Sequence, residues 1–287
     1  MIQLILASLI WSFSFGIIKE QIADQASSFN TMVRLGLAFL VFLPFLRQKF
    51  DRHAVTLMQI GAVQYGLMYL FLFWSFEYLN AYEVALFTIF TPFWVLVWAK
   101  FYQQKVSLLA VILAISGASI LRMSSATPDE FDMGFVLVQL SNLCFASGQI
   151  QYRQVIATKK KTTSGEGSSD LHGFAWLYLG GFSVSLFAWL LVGPAWPEVS
   201  NDAWLAYLYL GIVASGFGFF LWNSGTHRVS PTVLAVANNL KIPTAVAVSL
   251  FVFGEKADAW SLAFAGIFII AAFFLKPAME SITRRQK

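Results

Sequence analysis

The feature that most constrains this chain is a series of long apolar runs separated by short polar breaks. A helix needs about 20 mostly apolar residues to cross the hydrocarbon core of a bilayer. Every backbone amide in that core must bond internally, so runs of this length can only be helices. The pattern predicts an all-α integral membrane protein with ten transmembrane helices, at 2–19, 29–46, 55–76, 82–102, 106–123, 133–156, 173–193, 203–225, 230–253 and 259–277.

Composition supports this interpretation. Apolar residues make up 58% of the chain and charged residues only 12%, whereas soluble domains carry about 25% charged residues. The charges lie between the apolar runs and form no basic stripe, so we expect a lipid bilayer and a small molecule as partners, and no nucleic acid. The first run follows no Lys or Arg and precedes no small-residue cleavage site, which indicates a retained helix. The single cysteine, Cys144, excludes an intrachain disulfide and a CxxC site.

The distribution of basic residues predicts the orientation. If the amino terminus is inside, the inner loops contain most of the Lys and Arg residues, and the outer loops contain only Lys19, Arg122 and Lys256. Loops rich in Lys and Arg remain in the cytoplasm. We therefore expect a multi-pass protein of the inner (plasma) membrane with both termini cytoplasmic.

The two halves of the chain resemble each other. Two glycines and a proline of the first half recur in the second at offsets of 150 or 151: Gly61 and Gly211, Gly66 and Gly216, Pro92 and Pro243. Five spans per half is an odd number, so the second half would enter the membrane inverted. The sequence thus predicts two inverted five-helix repeats, 1–125 and 126–287, with a flexible cytoplasmic tether at 158–170. Such repeats are typical of secondary transporters with a site at the midplane, although apolar helices can also resemble each other by chance.

Several segments carry a family resemblance: WSFSFGIIK at 11–19, FASGQ at 145–149 leading to Arg153, GFFLWN at 218–223, and FGE at 253–255 after Pro243. Across its whole length the chain resembles the drug/metabolite transporter superfamily, specifically its EamA-type ten-helix transporters. One departure is the first-half sequence Gln103-Gln104-Lys105, which stands where the family commonly has Gly-Glu. The resemblance implies alternating-access transport of small metabolites, such as amino acids or related carboxylate or amine solutes, without a cofactor.

Lys241 is the sharpest candidate for a solute contact because it lies near the middle of its predicted span. An ammonium there costs at least about 2.5–3.5 kcal/mol unless it faces water or a partner. Pro243 deprives the carbonyl of Asn239 of its helical donor, and Asn238 shares the face of Lys241. We expect all three polar residues to face a central cavity, where Lys241 attracts a carboxylate or another anionic group. A purely structural lysine, held by helix-end carbonyls, is the alternative.

The sixth span has one polar face, formed by Gln139, Asn142, Ala146, Gln149 and Arg153. Lipid does not tolerate such a face, so it meets other helices or water. Asn142 and Gln149 are candidates for lining the cavity, and interhelical hydrogen bonding explains the face equally well. Arg153, at the inner end, is expected to anchor the topology.

Family position adds four aromatic candidates for contact with the solute: Tyr65, Tyr69, Trp11 and Trp222. Pro92, which follows Thr91, is the first-half counterpart of Pro243, and we expect both prolines to break their helices.

Arg34 is a candidate for the outer end of the bundle. It lies about one and a half turns inside the second span, so we expect its side chain to reach the outer boundary. The alternative is an outer gate in which Arg34 pairs with Glu83 or Glu77.

Other functional classes lack the residues they need. The sequence has no GxxxxGK[ST] phosphate loop for an ATP-driven pump. His53, His172 and His227 lie at span edges, too scattered for a metal site. No catalytic triad or mid-span carboxylate occurs, so we do not expect an enzyme. The alternative to a carrier is a multispan scaffold or receptor subunit without transport activity.

Overall fold

The computed structural model describes residues 2–46, 50–98, 116–123, 127–162, 170–193, 196–226, 229, 231–257, 260, 262–263 and 267. These residues form helices and no strand, which confirms the all-α prediction. In chain order the helices are α1 (Ile2–Gln21), α2 (Ser27–Phe42), α3 (Arg52–Ser75), α4 (Ala81–Phe87 and Thr91–Trp98, joined by the 3₁₀ turn Thr88–Phe90), α5 (described over 116–123), α6 (Pro128–Thr162), α7 (Asp170–Val192), α8 (Asn201–Thr226) and α9 (Pro231–Phe251).

Six of these helices are long and apolar enough to cross a membrane: α1, α2, α3, α6, α7 and α8. Helices α4 and α9 are apolar over shorter stretches within the described residues. The end of the fourth predicted span, most of the fifth and nearly all of the tenth lie outside the described residues. The described helices begin and end within a few residues of the predicted spans, with one exception.

The exception is the inner end of α6, which continues to Thr162. The first residues of the segment predicted as a flexible tether, 158–162, are therefore helical. Lysine is a good helix former, so the run Lys159-Lys160-Lys161 favours continuation of the helix. The rest of the predicted tether, up to residue 169, lies outside the described residues.

Helices α3 and α8 each contain a π-helical segment, Ala62–Leu67 and Tyr209–Phe217. At the offset of 150 found in the sequence, the first segment falls inside the second. A π turn re-aims side chains and disturbs the regular hydrogen-bond ladder, which is why such turns often occur at functional sites.

The helices pack in a pattern that relates the two halves. Helix α1 packs against α8 and α9, and its counterpart α6 packs against α3 and α4. Helices α2 and α7 pack against each other. Each also packs against the π-containing helix of the opposite half, α2 against α8 and α7 against α3. The helix pairs named here all join one half of the chain to the other. The centre of the bundle lies between the two halves.

Glycines allow α3 and α7 to approach each other at the backbone. A Cβ on Gly61 would overlap the backbone carbonyl of Leu177, and a Cβ on Gly180 would overlap that of Met58. Small residues permit this close packing between membrane helices, where van der Waals contact replaces the hydrophobic driving force. The contact is reciprocal, so it fixes the position of α3 and its π segment relative to α7.

Two charged side chains tie the loops at one end of the bundle. Lys19 Nζ donates to the carbonyls of Phe76 (2.7 Å) and Leu79 (3.0 Å) beyond the end of α3. The Glu255 carboxylate, which follows α9, accepts from the backbone N–H groups of Ala81 (2.8 Å) and Tyr82 (3.1 Å). These N–H groups belong to the first turn of α4, which has no intrahelical acceptors for them.

We expect Glu255→Ala to lower the free energy of unfolding by about 1–2 kcal/mol, the usual cost of losing a helix cap. The measurement is thermal unfolding in detergent. Glu198→Ala is the matched control because Glu198 is an exposed loop glutamate at the same predicted side. Equal unfolding temperatures for the two variants would show that the cap contributes nothing.

Candidate substrate-binding site

A cavity of about 60 Å³ lies at the centre of the bundle, large enough for a few water molecules. Residues from both halves line it: Trp11, Ser14, Phe15, Ile18, Arg34, Met68, Tyr69, Leu72, Thr88, Thr91, Ser141, Asn142, Phe145, Phe219 and Lys241. These described residues include two cations and no carboxylate. They make the cavity electropositive and mainly apolar, with polar groups on α1, α2, α3, α4, α6 and α9.

Lys241 lies in the middle of α9 and lines the cavity, as its position in the sequence predicts. Its side chain is 8% exposed. The ammonium lies 5.2 Å from the ring centroid of Trp11 and 5.7 Å from that of Phe145. Cation–π contacts with two rings offset part of the cost of burying the charge.

Arg34 supplies the second cation, and its place corrects two expectations. Its side chain is 1% exposed and lines the cavity, so it does not reach the outer boundary. Nε donates to Ser215 Oγ at 2.7 Å, and Cζ lies 4.0 Å from the ring centroid of Tyr69. A hydrogen-bond acceptor and an aromatic face inside the bundle hold the guanidinium better than the helix end does.

The predicted pairing of Arg34 with Glu83 or Glu77 is also wrong for this structure. Glu83 accepts from the backbone N–H of Asn80 at 2.8 Å, as the acidic member of a capping box at the start of α4. Glu77 accepts from Ser27 Oγ at 3.0 Å. Each carboxylate thus serves a local cap or loop contact rather than a gate with Arg34.

The π segment of α8 positions both Arg34 and Trp11. Trp11 Nε1 donates to the backbone carbonyl of Ala214 at 2.8 Å. The next residue, Ser215, holds Arg34 through its hydroxyl, which also lies 3.1 Å from the Tyr69 hydroxyl. The Tyr178 hydroxyl donates to the Ser215 carbonyl. The irregular backbone therefore places acceptors where the side chains of α1, α2 and α7 converge.

An aromatic wall forms one side of the cavity. The ring centroids of Trp11 and Phe219 are 4.8 Å apart, and Phe145 packs edge-on against both at 6.2 and 6.0 Å. Such rings give a flat, apolar surface for a ring or chain of a solute.

The break in α4 follows from Pro92, as predicted. Proline cannot donate to the Thr88 carbonyl, and Thr91 Oγ1 donates to it instead at 2.7 Å. Asn142 of α6 completes the break by donating to the Phe87 carbonyl at 2.9 Å and accepting from Thr91 at 3.0 Å. Asn142 therefore lines the cavity and also joins α4 to α6. At this residue of the α6 polar face, cavity lining and interhelical hydrogen bonding both apply.

Pro243 differs from Pro92 and corrects the second predicted break. Helix α9 continues through it without interruption, although proline removes one N–H donor from the helix. The Ser8 and Ser12 hydroxyls of α1 lie 3.3 Å from the carbonyls of Ala237 and Lys241. The side chains of Asn238 and Asn239 lie outside the described part of the structure.

Three predicted site residues lie behind the cavity rather than on its wall. Trp222 is fully buried, with its ring centroid 5.1 Å from that of Trp11. The Tyr65 hydroxyl accepts from Asn223 at 2.8 Å. Gln149 is fully buried, and neither polar atom of its amide has a partner among the described residues. These residues form a second, neutral polar layer one turn from the cavity along α3, α6 and α8.

Several residues that line or shape the site were not predicted from the sequence: Ser14, Ser141, Ser215 and Asn223. Isolated serines in apolar helices carry little signal. The glycine pairs at 61 and 66 and at 211 and 216 are a stronger signal, because they coincide with the π segments. The second of these segments contains Ser215.

The bundle of apolar helices around a charged cavity is consistent with a multi-pass membrane transporter. The EamA-like transporter family matches residues 1–123 and 133–276. The chain is 36% identical over 281 residues to the biotin transporter of Salmonella typhimurium, covering 95% of this chain and 91% of the relative. It is 34% identical over 279 residues to a probable biotin transporter of Pseudomonas aeruginosa, covering 95% and 96%.

A solved crystal structure shares the fold, with a TM-score of 0.66 over 94% of both chains at 18% identity. The chain therefore belongs to the EamA-like transporter family of the drug/metabolite transporter superfamily. It is a membrane transporter of small metabolites and not an enzyme.

Proposed function

We propose that this chain carries biotin, or a closely similar monocarboxylate, across the inner membrane by alternating access. The observation that carries the proposal is the presence of two buried cations, Arg34 and Lys241, in a cavity with no carboxylate among its described lining residues. Uncompensated charge inside a membrane protein is costly and marks a functional site. Biotin has one carboxylate on an apolar chain and an uncharged bicyclic ring, which matches a cationic cavity with an aromatic wall.

The size of the cavity supports alternating access. Sites for small molecules usually enclose about 300–1,000 Å³, and this cavity has about 60 Å³. A solute of the size of biotin needs helices to move apart before it can enter. We therefore interpret the structure as a conformation in which the site is too narrow for the solute.

Three observations support the proposed inverted repeats, 1–125 and 126–287. The family matches two stretches of similar length. The π segments of α3 and α8 coincide at the offset of 150. The helix contacts of one half have counterparts in the other. In related carrier folds, rocking of two such repeats about a midplane site exposes it to each side in turn. Ten spans remain our proposal for the helix count.

Uptake of radiolabelled biotin tests the proposed function. We expect the chain to restore uptake in a biotin-auxotrophic bacterium that lacks its own biotin transporter, and excess unlabelled biotin to suppress it. An empty vector is the control. Uptake at the vector level, with the protein present in the membrane, would contradict the proposal.

Cysteine labelling tests the proposed orientation. In a Cys144→Ser background, we expect an impermeant maleimide to label Asp129→Cys and Glu198→Cys in intact cells, because both positions would face outward. Ser168→Cys and Lys287→Cys should react only after permeabilisation. Labelling of positions 168 and 287 from opposite sides would contradict five spans in each half. It would therefore also contradict the inverted repeats.

A further inference from the structure

Arg34 has hydrogen-bonding capacity that no described residue uses. Ser215 accepts from Nε at 2.7 Å, while neither Nη group bonds to a described residue, and Nη1 is fully buried. Arginine stays protonated in proteins and carries five N–H donors in one plane. The Tyr69 ring, whose centroid lies 4.0 Å from Cζ, supplies no hydrogen-bond acceptor to the Nη groups.

Such a group requires an anion with two acceptors. A buried charge without a partner is strongly destabilising, and the described residues of the cavity lining include no carboxylate. Glu83, an acidic residue of α4, is engaged at its own helix start. Because Nε is held by Ser215, the two Nη groups remain for an anion, and a guanidinium can bind a carboxylate through both oxygens. Nη1 is buried here, so this contact requires the cavity to widen.

Lys241 is in a different environment. Its ammonium faces Trp11 and Phe145, two rings that offset part of the cost of burying the charge. An ammonium is a point charge on a flexible chain and has no fork geometry to match a carboxylate. It suits a single neutral acceptor, such as a carbonyl oxygen, that lies against the aromatic wall.

We propose that the two cations divide the solute between them: Arg34 binds the carboxylate through its two Nη groups, and Lys241 donates to an uncharged polar group at the other end. This inference rests on the proposed function. For biotin, the uncharged group is the ureido carbonyl, and the rings of Trp11, Phe145 and Phe219 contact the apolar surface of the bicycle. The carboxylate specificity of the transporter then lies in Arg34 and its anchor Ser215.

A ligand pair separates this arrangement from one in which Lys241 binds the carboxylate. Biotin and biotinamide differ only at one end, where the amide is uncharged, has one acceptor oxygen instead of two and carries N–H donors. Binding of each to the purified protein is measured from ligand-induced thermal stabilisation across a concentration series. We expect wild type to prefer biotin by about tenfold to a hundredfold, the range for a hydrogen bond to a charged group.

In Arg34→Gln the preference should fall to within about twofold, because the neutral side chain no longer distinguishes the two ends. In Lys241→Met both ligands should weaken together and the preference should persist. Arg122→Gln is the matched control, since Arg122 forms an exposed pair with Asp132 at 2.6 Å, remote from the cavity lining. It should bind as wild type does.

A second variant covers the case in which Arg34→Gln does not fold. Ser215→Ala keeps the arginine and removes the acceptor of Nε, so the preference for biotin should fall by about twofold to tenfold. Loss of the preference in Lys241→Met with its survival in Arg34→Gln or Ser215→Ala would overturn the assignment. Equal affinity of the wild-type protein for biotin and biotinamide would also overturn the assignment. Absence of any biotin binding by wild type would instead refute the proposed function.

Discussion

Lys241→Met lowers the rate of biotin transport at subsaturating concentration by about tenfold to a hundredfold, the expected result of losing one charge-assisted hydrogen bond to the solute. The variant should reach the membrane in normal amounts. Methionine has nearly the length of lysine, contacts aromatic rings favourably, and removes a charge whose burial costs free energy. The loss should therefore appear in transport and not in stability.

The measurement is initial uptake of radiolabelled biotin, normalised to protein in the membrane, with thermal unfolding measured on the same preparations. Lys256→Met is the matched control, because it removes a lysine that is exposed in the loop after α9. Its transport should equal that of wild type. Undiminished transport in Lys241→Met would remove this residue from the site and leave it a structural role.

Gly61→Ala is expected to have the largest effect on folding. Its Cβ would overlap the backbone carbonyl of Leu177, and a backbone atom cannot move aside as a side chain can. Helices α3 and α7 must separate, and overpacking of this kind typically costs about 1–3 kcal/mol. The π segment that follows Gly61 would shift with α3, so transport should also fall.

The control lies on the same pair of helices. A Cβ at Gly173 of α7 meets only Leu57 Cδ1, at 3.5 Å, which is an ordinary contact. Gly173→Ala gains about 1 kcal/mol of helix propensity, so its unfolding temperature should equal or exceed that of wild type. Thermal unfolding and size-exclusion chromatography measure both variants. Equal stability of Gly61→Ala and Gly173→Ala would contradict the close packing of α3 and α7.

The sequence predicts the helices of this protein well because the bilayer limits the alternatives. Apolar runs of spanning length must be helical, and the described helices match them to within a few residues apart from the extension of α6 to Thr162. Lys241 was predicted at the cavity for the same reason, since a charge in the middle of an apolar run needs a polar environment.

The sequence does not predict how side chains are shared between helices. The depth of Arg34 along α2, taken alone, predicts a side chain near the outer boundary. Its actual position depends on Ser215, which is 181 residues away and lies on a π segment. Tyr65 and Gln149 lie one turn from the cavity, and helical periodicity alone cannot separate a wall from the layer behind it. The sequence also does not distinguish the two prolines: Pro92 interrupts its helix, whereas Pro243 does not.

Counterflow in proteoliposomes tests most directly whether this chain is a carrier for biotin. Vesicles containing the purified protein are loaded with unlabelled biotin and diluted into a trace of labelled biotin. A carrier whose site faces each side in turn should exchange the two, so the label should rise transiently above its external concentration. Protein-free vesicles should show no rise. Binding of biotin without such accumulation would contradict the account and would indicate a receptor rather than a transporter.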